Sequence, residues 1–259
     1  MKKNISISNI DERTLCAYLC NKNNLEDFEI LYDLYKNISY SALRSKNYEA
    51  YQLKLQWFIS ALQSDGDSIN ISKVKHVCNK YNIDLYNILL LIETKNIDMN
   101  PIPFSCEEDL ISYAKNTGGL LWWILAQVLI KNPEKYKDKI IATGTAFAIV
   151  GIIRNANFNQ QRNIYTLIYT AESVSKNIND IKQKNINSLI IKAKSFIKES
   201  RTKTSFNLKL NTFLTLNLFA EFYINKLEKQ PYTDIKDNLE QKNRIFYLKY
   251  IFSYLLRRY

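Results

Sequence analysis

An all-α fold is predicted by three features of this 259-residue sequence. Only 5 Gly and 4 Pro punctuate it, while 46% of its residues are hydrophobic. So few chain-breaking residues favour long helices over many short strands. Apolar side chains recur at three- and four-residue spacing along most of the chain, as a single buried helix face requires. No internal repeat or low-complexity tract interrupts the pattern, and the length suits one core. A single domain over residues 1–259 is therefore expected.

The elements follow in order. Ser8 with Asp11 three residues on predicts a capped start, and the first helix runs to about Lys22. Phe28, Leu31, Tyr32, Tyr35, Ile38 and Leu43 define a helix over Leu25 to Lys46, and Leu53, Leu55, Trp57, Phe58 and Leu62 another over Tyr48 to Leu62. After a polar break, two shorter helices span Ser72 to Tyr81 and Asp84 to Ile97, closed by Pro101 and Pro103. Ser105 and Glu108 form a capping box for a long helix to about Ile130, and Asn132-Pro133 restarts the next. That helix carries Ala142, Gly144, Ala146, Ala148 and Gly151, small residues that allow a neighbour to approach closely, and it is expected to end near Arg154. Residues 155–184 read as polar and irregular apart from Ile164 to Val174. Three further helices are expected over Ile186 to Lys198, Asn207 to Leu227 and Leu239 to Arg258.

Composition narrows the classes of function. Lys and Arg number 36 against 25 Asp and Glu, a net charge of +11. That charge is compatible with nucleic acid, an anionic membrane face or a diphosphate ligand, and equally with a merely solvated basic surface. No helix-turn-helix, zinc or RNA-binding signature accompanies it, so a nucleic-acid partner is not expected. Cys16, Cys20, Cys78 and Cys106 are too scattered for a disulfide framework, which points to a reducing compartment. Cys16 and Cys20 share a helix face, yet His76 is the single histidine, so two small core residues compete with a metal role. The N-terminus has neither a signal-peptide apolar run nor an Arg-rich transit pattern. The apolar runs from Gly118 to Ile130 and from Ile140 to Ile153 fall short of a ~20-residue membrane span. A cytoplasmic protein, peripheral on the inner membrane at most, is expected.

Four stretches in order carry a family resemblance. They are Leu53 to Leu62 around Trp57-Phe58, Leu91 to Glu93 with Asp98, Tyr113 to Leu121 around Thr117-Gly118-Gly119, and Gly144 through Arg154 to Arg162 and Tyr165. In this arrangement the chain resembles the squalene/phytoene synthase family. Glu107 to Leu121, with Gln241 to Tyr259, is most similar to the branch that includes the mitochondrial respiratory complex I assembly factor. The resemblance implies the isoprenoid synthase fold, an antiparallel helical bundle around a central cavity.

It also implies a chemistry that would be severely impaired in this sequence. Joining two prenyl diphosphates requires magnesium to neutralise the leaving diphosphate, and the family holds magnesium with D-x-x-x-D pairs on two helices. Residues four apart share a helix face, so both carboxylates can reach one metal. By the resemblance these pairs fall at Asn37 and Ser41 and at Asn155 and Asn159, and all four are neutral. Glu93 and Asp98 match acidic positions of the family, and Asp33 is a candidate substitute; each competes with a surface or core role. Arg154 and Arg162 match basic family positions, and Lys36, Lys54 and Lys95 lie in neighbouring motifs; these are the candidate diphosphate-binding residues. A helix C-terminal cation or a surface charge are their alternatives. Trp57, Tyr113, Leu121 and Trp122, with Phe58 and Trp123, either line the cavity or pack the core.

Two readings of function remain. One is a non-catalytic protein that acts by binding, with a respiratory-chain subunit or a prenyl lipid as partner, peripheral membrane contact and no cofactor. The other is an active magnesium-dependent head-to-head prenyl transferase on farnesyl or geranylgeranyl diphosphate.

Overall fold

The computed structural model describes residues 11–64, 69–168, 178–201 and 208–229. Its helices are α1 (Glu12–Cys20), α2 (Leu25–Arg44), α3 (Tyr48–Gln63), α4 (Ile69–Tyr81), α5 (Leu85–Thr94), α6 (Glu107–Ala114), α7 (Leu120–Leu129), α8 (Lys137–Gln161), α9 (Ile178–Ser200), α10 (Leu208–Leu214) and α11 (Leu216–Leu227). The described residues contain no β-strand, so the protein is all-α.

α8 is the axis of the bundle, packed by α7, α9 and α11. Ile140, Ala146, Ile149, Val150 and Ile153 on it are fully buried. By length and composition the helical stretch Glu134–Gln161 could cross a membrane, with mean hydropathy 1.3 in its most apolar window. Yet 61% of that window is buried inside the fold, as a core helix requires. The expected short run is thus part of a longer helix.

α6 and α7 join through a turn of π-helix, Lys115–Gly119, which faces α8. There Gly118 and Gly119 meet Gly144, whose backbone lies against them. The small-residue stripe of α8 makes its close approach at this point.

Several boundaries differ from expectation. Asp11 caps α1: its carboxylate accepts from the Arg13 and Thr14 amides; Ser8 lies outside the described residues. The capping box at Ser105 does not form. The Ser105 hydroxyl donates to Asp109 instead (2.7 Å), and α6 starts at Glu107 with Glu107, Glu108 and Asp109 answering its positive end. α8 runs on to Gln161 because Ile153 and Ala156 continue its buried stripe through the Asn-rich segment, where packing overrides weak helix propensity. α9 likewise begins earlier, at Ile178. A turn at Thr215 splits the expected Asn207 to Leu227 helix into α10 and α11. The Leu239 to Arg258 helix lies outside the described residues.

The thiols of Cys16 and Cys20 are buried among α1 and α10. Cys20 bonds the Lys209 carbonyl, and burial pushes its pKa up to about 12. His76 is exposed on α4, so these cysteines take the core role.

Candidate functional site

Between α1, α2, the turn after α5, the α6–π segment and α8 lies a cavity of about 470 Å³, a size suited to a small ligand. Its wall carries four cations, Arg13, Lys95, Arg154 and Arg162, against two carboxylates, Glu12 and Asp98.

The floor is set by a short 3₁₀ turn, Lys95–Met99, that follows α5. In such a turn residues three apart eclipse, so Lys95 and Asp98 align. The Lys95 ammonium donates to Asp98 (2.8 Å) and to the Tyr113 hydroxyl (3.0 Å), which itself donates to Asp98 (2.6 Å). Tyr51 closes the network beneath by donating to the Lys95 carbonyl (2.6 Å). Burial works against the charge on Lys95, but Asp98, Tyr113 and Tyr35 outweigh it and hold the ammonium well above its ordinary pKa. Burial and the Asp98 charge push the Tyr113 phenol up. For Tyr35 the balance is reversed: burial raises its pKa, but Lys95 and Arg13 prevail and lower it.

Both cavity carboxylates are engaged. Asp98 serves Lys95 and Tyr113, and Glu12 accepts from the Tyr223 hydroxyl (2.6 Å). The guanidinium groups are freer. Among the described residues no carboxylate forms an ion pair with Arg13, Arg154 or Arg162. Arg154 lies over the Tyr223 ring at 3.7 Å, and Arg162 donates to the Ala42 carbonyl (3.0 Å). Among the described residues, Arg13 Nε and Thr166 Oγ1 on this wall are buried without a hydrogen-bond partner. Such orphans cost free energy unless a ligand or water satisfies them.

Lys95, Asp98, Tyr113, Arg154, Arg162, Asn155 and Asn159 are thus brought together. The rest are not. Asn37 is exposed, and Ser41 is buried and bonded to the Asn37 carbonyl of its own helix. The α2 residues on the cavity wall are instead Tyr35, Ser39, Ala42 and Leu43. Tyr35 and Ser39 stand four apart, two residues out of step with the assigned pair. At 100° per residue, two positions turn a side chain to the opposite face of the helix. Asp33 pairs with Lys36 on the surface (2.6 Å), and Glu93 and Lys54 are exposed away from the cavity. Trp57 is 53% exposed on α3. Trp122 is fully buried, stacked on Phe213 at 3.8 Å, and is core rather than lining. Leu121 borders only a small apolar crevice behind Tyr35. Arg13, Tyr35, Ser39 and Thr166 were missed. The one available signal was the burial stripe of α2, which puts position 39 rather than 37 on the inner side.

The family resemblance implies magnesium, and the donor set among the described residues does not fit it. The two carboxylates are spent on neighbours, and no three of His, Cys, Asp and Glu gather into a metal-binding group among the described residues. Asn155 and Asn159 offer only neutral oxygens to a cation that dehydrates reluctantly.

No protein-family model and no curated protein matches the sequence. Solved structures do. The protein is similar to a dehydrosqualene synthase solved in complex with ligand, at a TM-score of 0.75 and 14% identity, covering 98% of this chain and 94% of that one. This is the squalene synthase fold. The squalene synthase HpnC from Alicyclobacillus acidocaldarius is a second neighbour, with TM-score 0.65 and 13% identity over 87% of this chain and 90% of that one. YisP from Bacillus subtilis subsp. subtilis strain 168 is a third, with TM-score 0.53 and 14% identity over 87% and 94%. At such identities the likeness concerns the squalene synthase fold and not the chemistry performed on it.

Proposed function

We propose that this protein is a non-catalytic binder built on the squalene synthase fold, and that its cavity takes the phosphate head of a prenyl lipid without magnesium. The observation that carries this reading is the charge of the cavity wall: its carboxylates are engaged by internal partners, while Arg13, Arg154 and Arg162 form no ion pair with a carboxylate among the described residues and Asp11 acts on Arg13 only through its field. Guanidinium groups bind phosphate oxygens by charge-assisted, often bidentate hydrogen bonds. They supply affinity for a diphosphate but not the metal cluster that drives its departure.

Calorimetric titration with farnesyl and geranylgeranyl diphosphate, with and without magnesium, followed by product analysis, tests the reading. Binding that is indifferent to magnesium and forms no product is expected. Arg154→Gln should weaken it roughly ten- to hundredfold, the loss of one hydrogen bond to a charged group. Magnesium-dependent binding with turnover would establish the prenyl transferase instead. The resemblance to the complex I assembly factor offers the other form of binding role. A respiratory-chain subunit that co-purifies with a protein taking no prenyl phosphate would replace lipid by protein as the partner.

A further inference from the structure

The cavity runs lengthwise between α2 and α8, and its two ends differ. At the inner end the Arg13 guanidinium lies over the Phe147 ring, 4.8 Å from its centroid, and 5.9 Å from that of Tyr35. At the outer end Arg162 donates to the Ala42 carbonyl, and Leu43 and Phe158 are 47% and 51% exposed. Ala42 lies seven residues beyond Tyr35 on α2, and Arg162 fifteen beyond Phe147 at the end of α8. These steps correspond to about 10 and about 22 Å of helix axis. Between the two ends α8 offers the cavity Ala148, Gly151 and Ile152 before Arg154 is reached.

A plain apolar tail fits the inner end poorly. Behind Tyr35 the aliphatic crevice formed by α2, α5 and α7 measures about 20 Å³, room for a water molecule and not for a chain. A ligand that enters past Phe158 therefore ends beside Arg13, Tyr35 and the Lys95–Asp98–Tyr113 network. Lys95 and Asp98 neutralise one another there (2.8 Å). Glu12 is engaged on α11, where it accepts from the Tyr223 hydroxyl. Asp11 is not part of the cavity wall. It accepts from the Arg13 and Thr14 amides and from the Tyr32 hydroxyl (3.1 Å), and with Tyr32 and Tyr35 it acts on the Arg13 guanidinium through its field. The potential that remains is positive: burial and Asp98 raise the Tyr35 pKa, yet Lys95, Arg13 and Ser39 prevail and lower it. Arg13 Nε, buried without a hydrogen-bond partner among the described residues, is a donor that a carboxylate oxygen would satisfy.

We propose that the ligand of this cavity is an amphiphile with an anion at each end, an apolar chain that carries its phosphate toward Arg162 and a terminal carboxylate to Arg13. The inference rests on the phosphate reading above and adds the class of group at the far end of the chain. The carboxylate accepts from the Arg13 guanidinium, Nε included, while the chain lies along Ala148, Gly151 and Ile152. A chain ending in methyl groups would instead desolvate that guanidinium with no hydrogen bond in return.

A matched pair of probes isolates the inner group: dodecylphosphonate, and phosphonododecanoate, which adds a terminal carboxylate to the same chain length. Each is titrated calorimetrically without magnesium. The carboxylate should tighten binding roughly ten- to hundredfold, as a hydrogen bond to a charged partner does. Its methyl ester, which loses the charge at that end, should bind no more tightly than dodecylphosphonate. Arg13→Gln should bring the ratio of the two affinities toward one, whereas Arg162→Gln should weaken both probes and preserve the ratio. Thermal unfolding of each variant checks that the fold is retained, and the ester comparison needs no variant, so it decides even where Arg13→Gln unfolds. Equal or weaker binding of the carboxylate probe, a gain retained by the ester, or a ratio that survives Arg13→Gln overturns the proposal. The two claims fail separately. Binding of dodecylphosphonate with no gain from the carboxylate removes the inner site and leaves the phosphate reading; if neither probe binds, the phosphate reading falls and the inner site with it.

Discussion

Asp98→Ala is expected to destabilise the protein by about 3–5 kcal/mol, because it strands a buried ammonium. Lys95 is only 6% exposed, and its two side-chain partners are Asp98 and the Tyr113 hydroxyl, which itself needs Asp98 as acceptor. Removing the carboxylate breaks both of its contacts at once and leaves a charge in a low-dielectric site. Urea unfolding followed by the fluorescence of the buried pair Trp122 and Trp123 measures the loss. A double Lys95→Met/Asp98→Leu variant should lose far less, since replacing both members of a buried pair with apolar groups leaves nothing uncompensated. A double variant as unstable as the single one would show that shape, not charge, dominates there. The same network fixes the alkaline limb of stability. The folded-state pKa values of Lys95 and Tyr113 are both raised. Protonated Lys95 and neutral Tyr113 are therefore favoured by folding. Their contribution is complete below about pH 10 and is lost as pH rises above the ordinary values of the two groups. Stability should fall above that pH, and less steeply in the double variant.

Gly144→Ala should cost about 3 kcal/mol, although alanine is the better helix former. A Cβ there would fall 2.6 Å from the Trp122 Cβ and 2.9 Å from the Gly119 Cα, and closer still to the Gly118 carbonyl oxygen. Two of these neighbours are backbone atoms of the π segment, which cannot swing away as a flexible side chain could. The propensity gain of about 1 kcal/mol does not offset forcing two helices apart. Gly151→Ala on the same helix is the contrast. A Cβ at Gly151 meets nothing within 4 Å, so the substitution should stabilise by about 0.5–1 kcal/mol. Thermal unfolding of the two variants should shift in opposite directions. A stabilising Gly144→Ala would mean that the contact between α8 and the π segment is looser than described.

The helices were legible because their signal is local. The stripe Phe28, Leu31, Tyr32 and Ile38 on α2, or the unbroken apolar run of α7, declares helix and buried face from spacing alone, although Leu43 of the same stripe is exposed. Boundaries were less legible wherever packing overrode propensity, as in the Asn-rich end of α8, which stays helical because its other face is buried.

The site was only half legible. Residue types decided that paired carboxylates are absent from positions 37, 41, 155 and 159, and that Arg154 and Arg162 could serve an anion. Sequence spacing could not decide which α2 residues face inward. That depends on how the helix is rotated by its neighbours, and the rotation brings Tyr35 and Ser39 to the cavity and turns Asn37 outward. Nor could it decide the fate of Asp98, whose charge is absorbed by a buried lysine three residues away in the 3₁₀ turn after α5. Arg13 came into view solely through tertiary structure, because α1 contributes to a wall whose other parts lie more than twenty residues away. By itself, then, the sequence determined the helices, the shortage of metal-binding acids and the excess of basic side chains, since each is a property of residue type and local period. The tertiary structure alone decided which charges neutralise one another and which form no ion pair among the described residues, since pairing depends on distances between segments that local patterning does not specify.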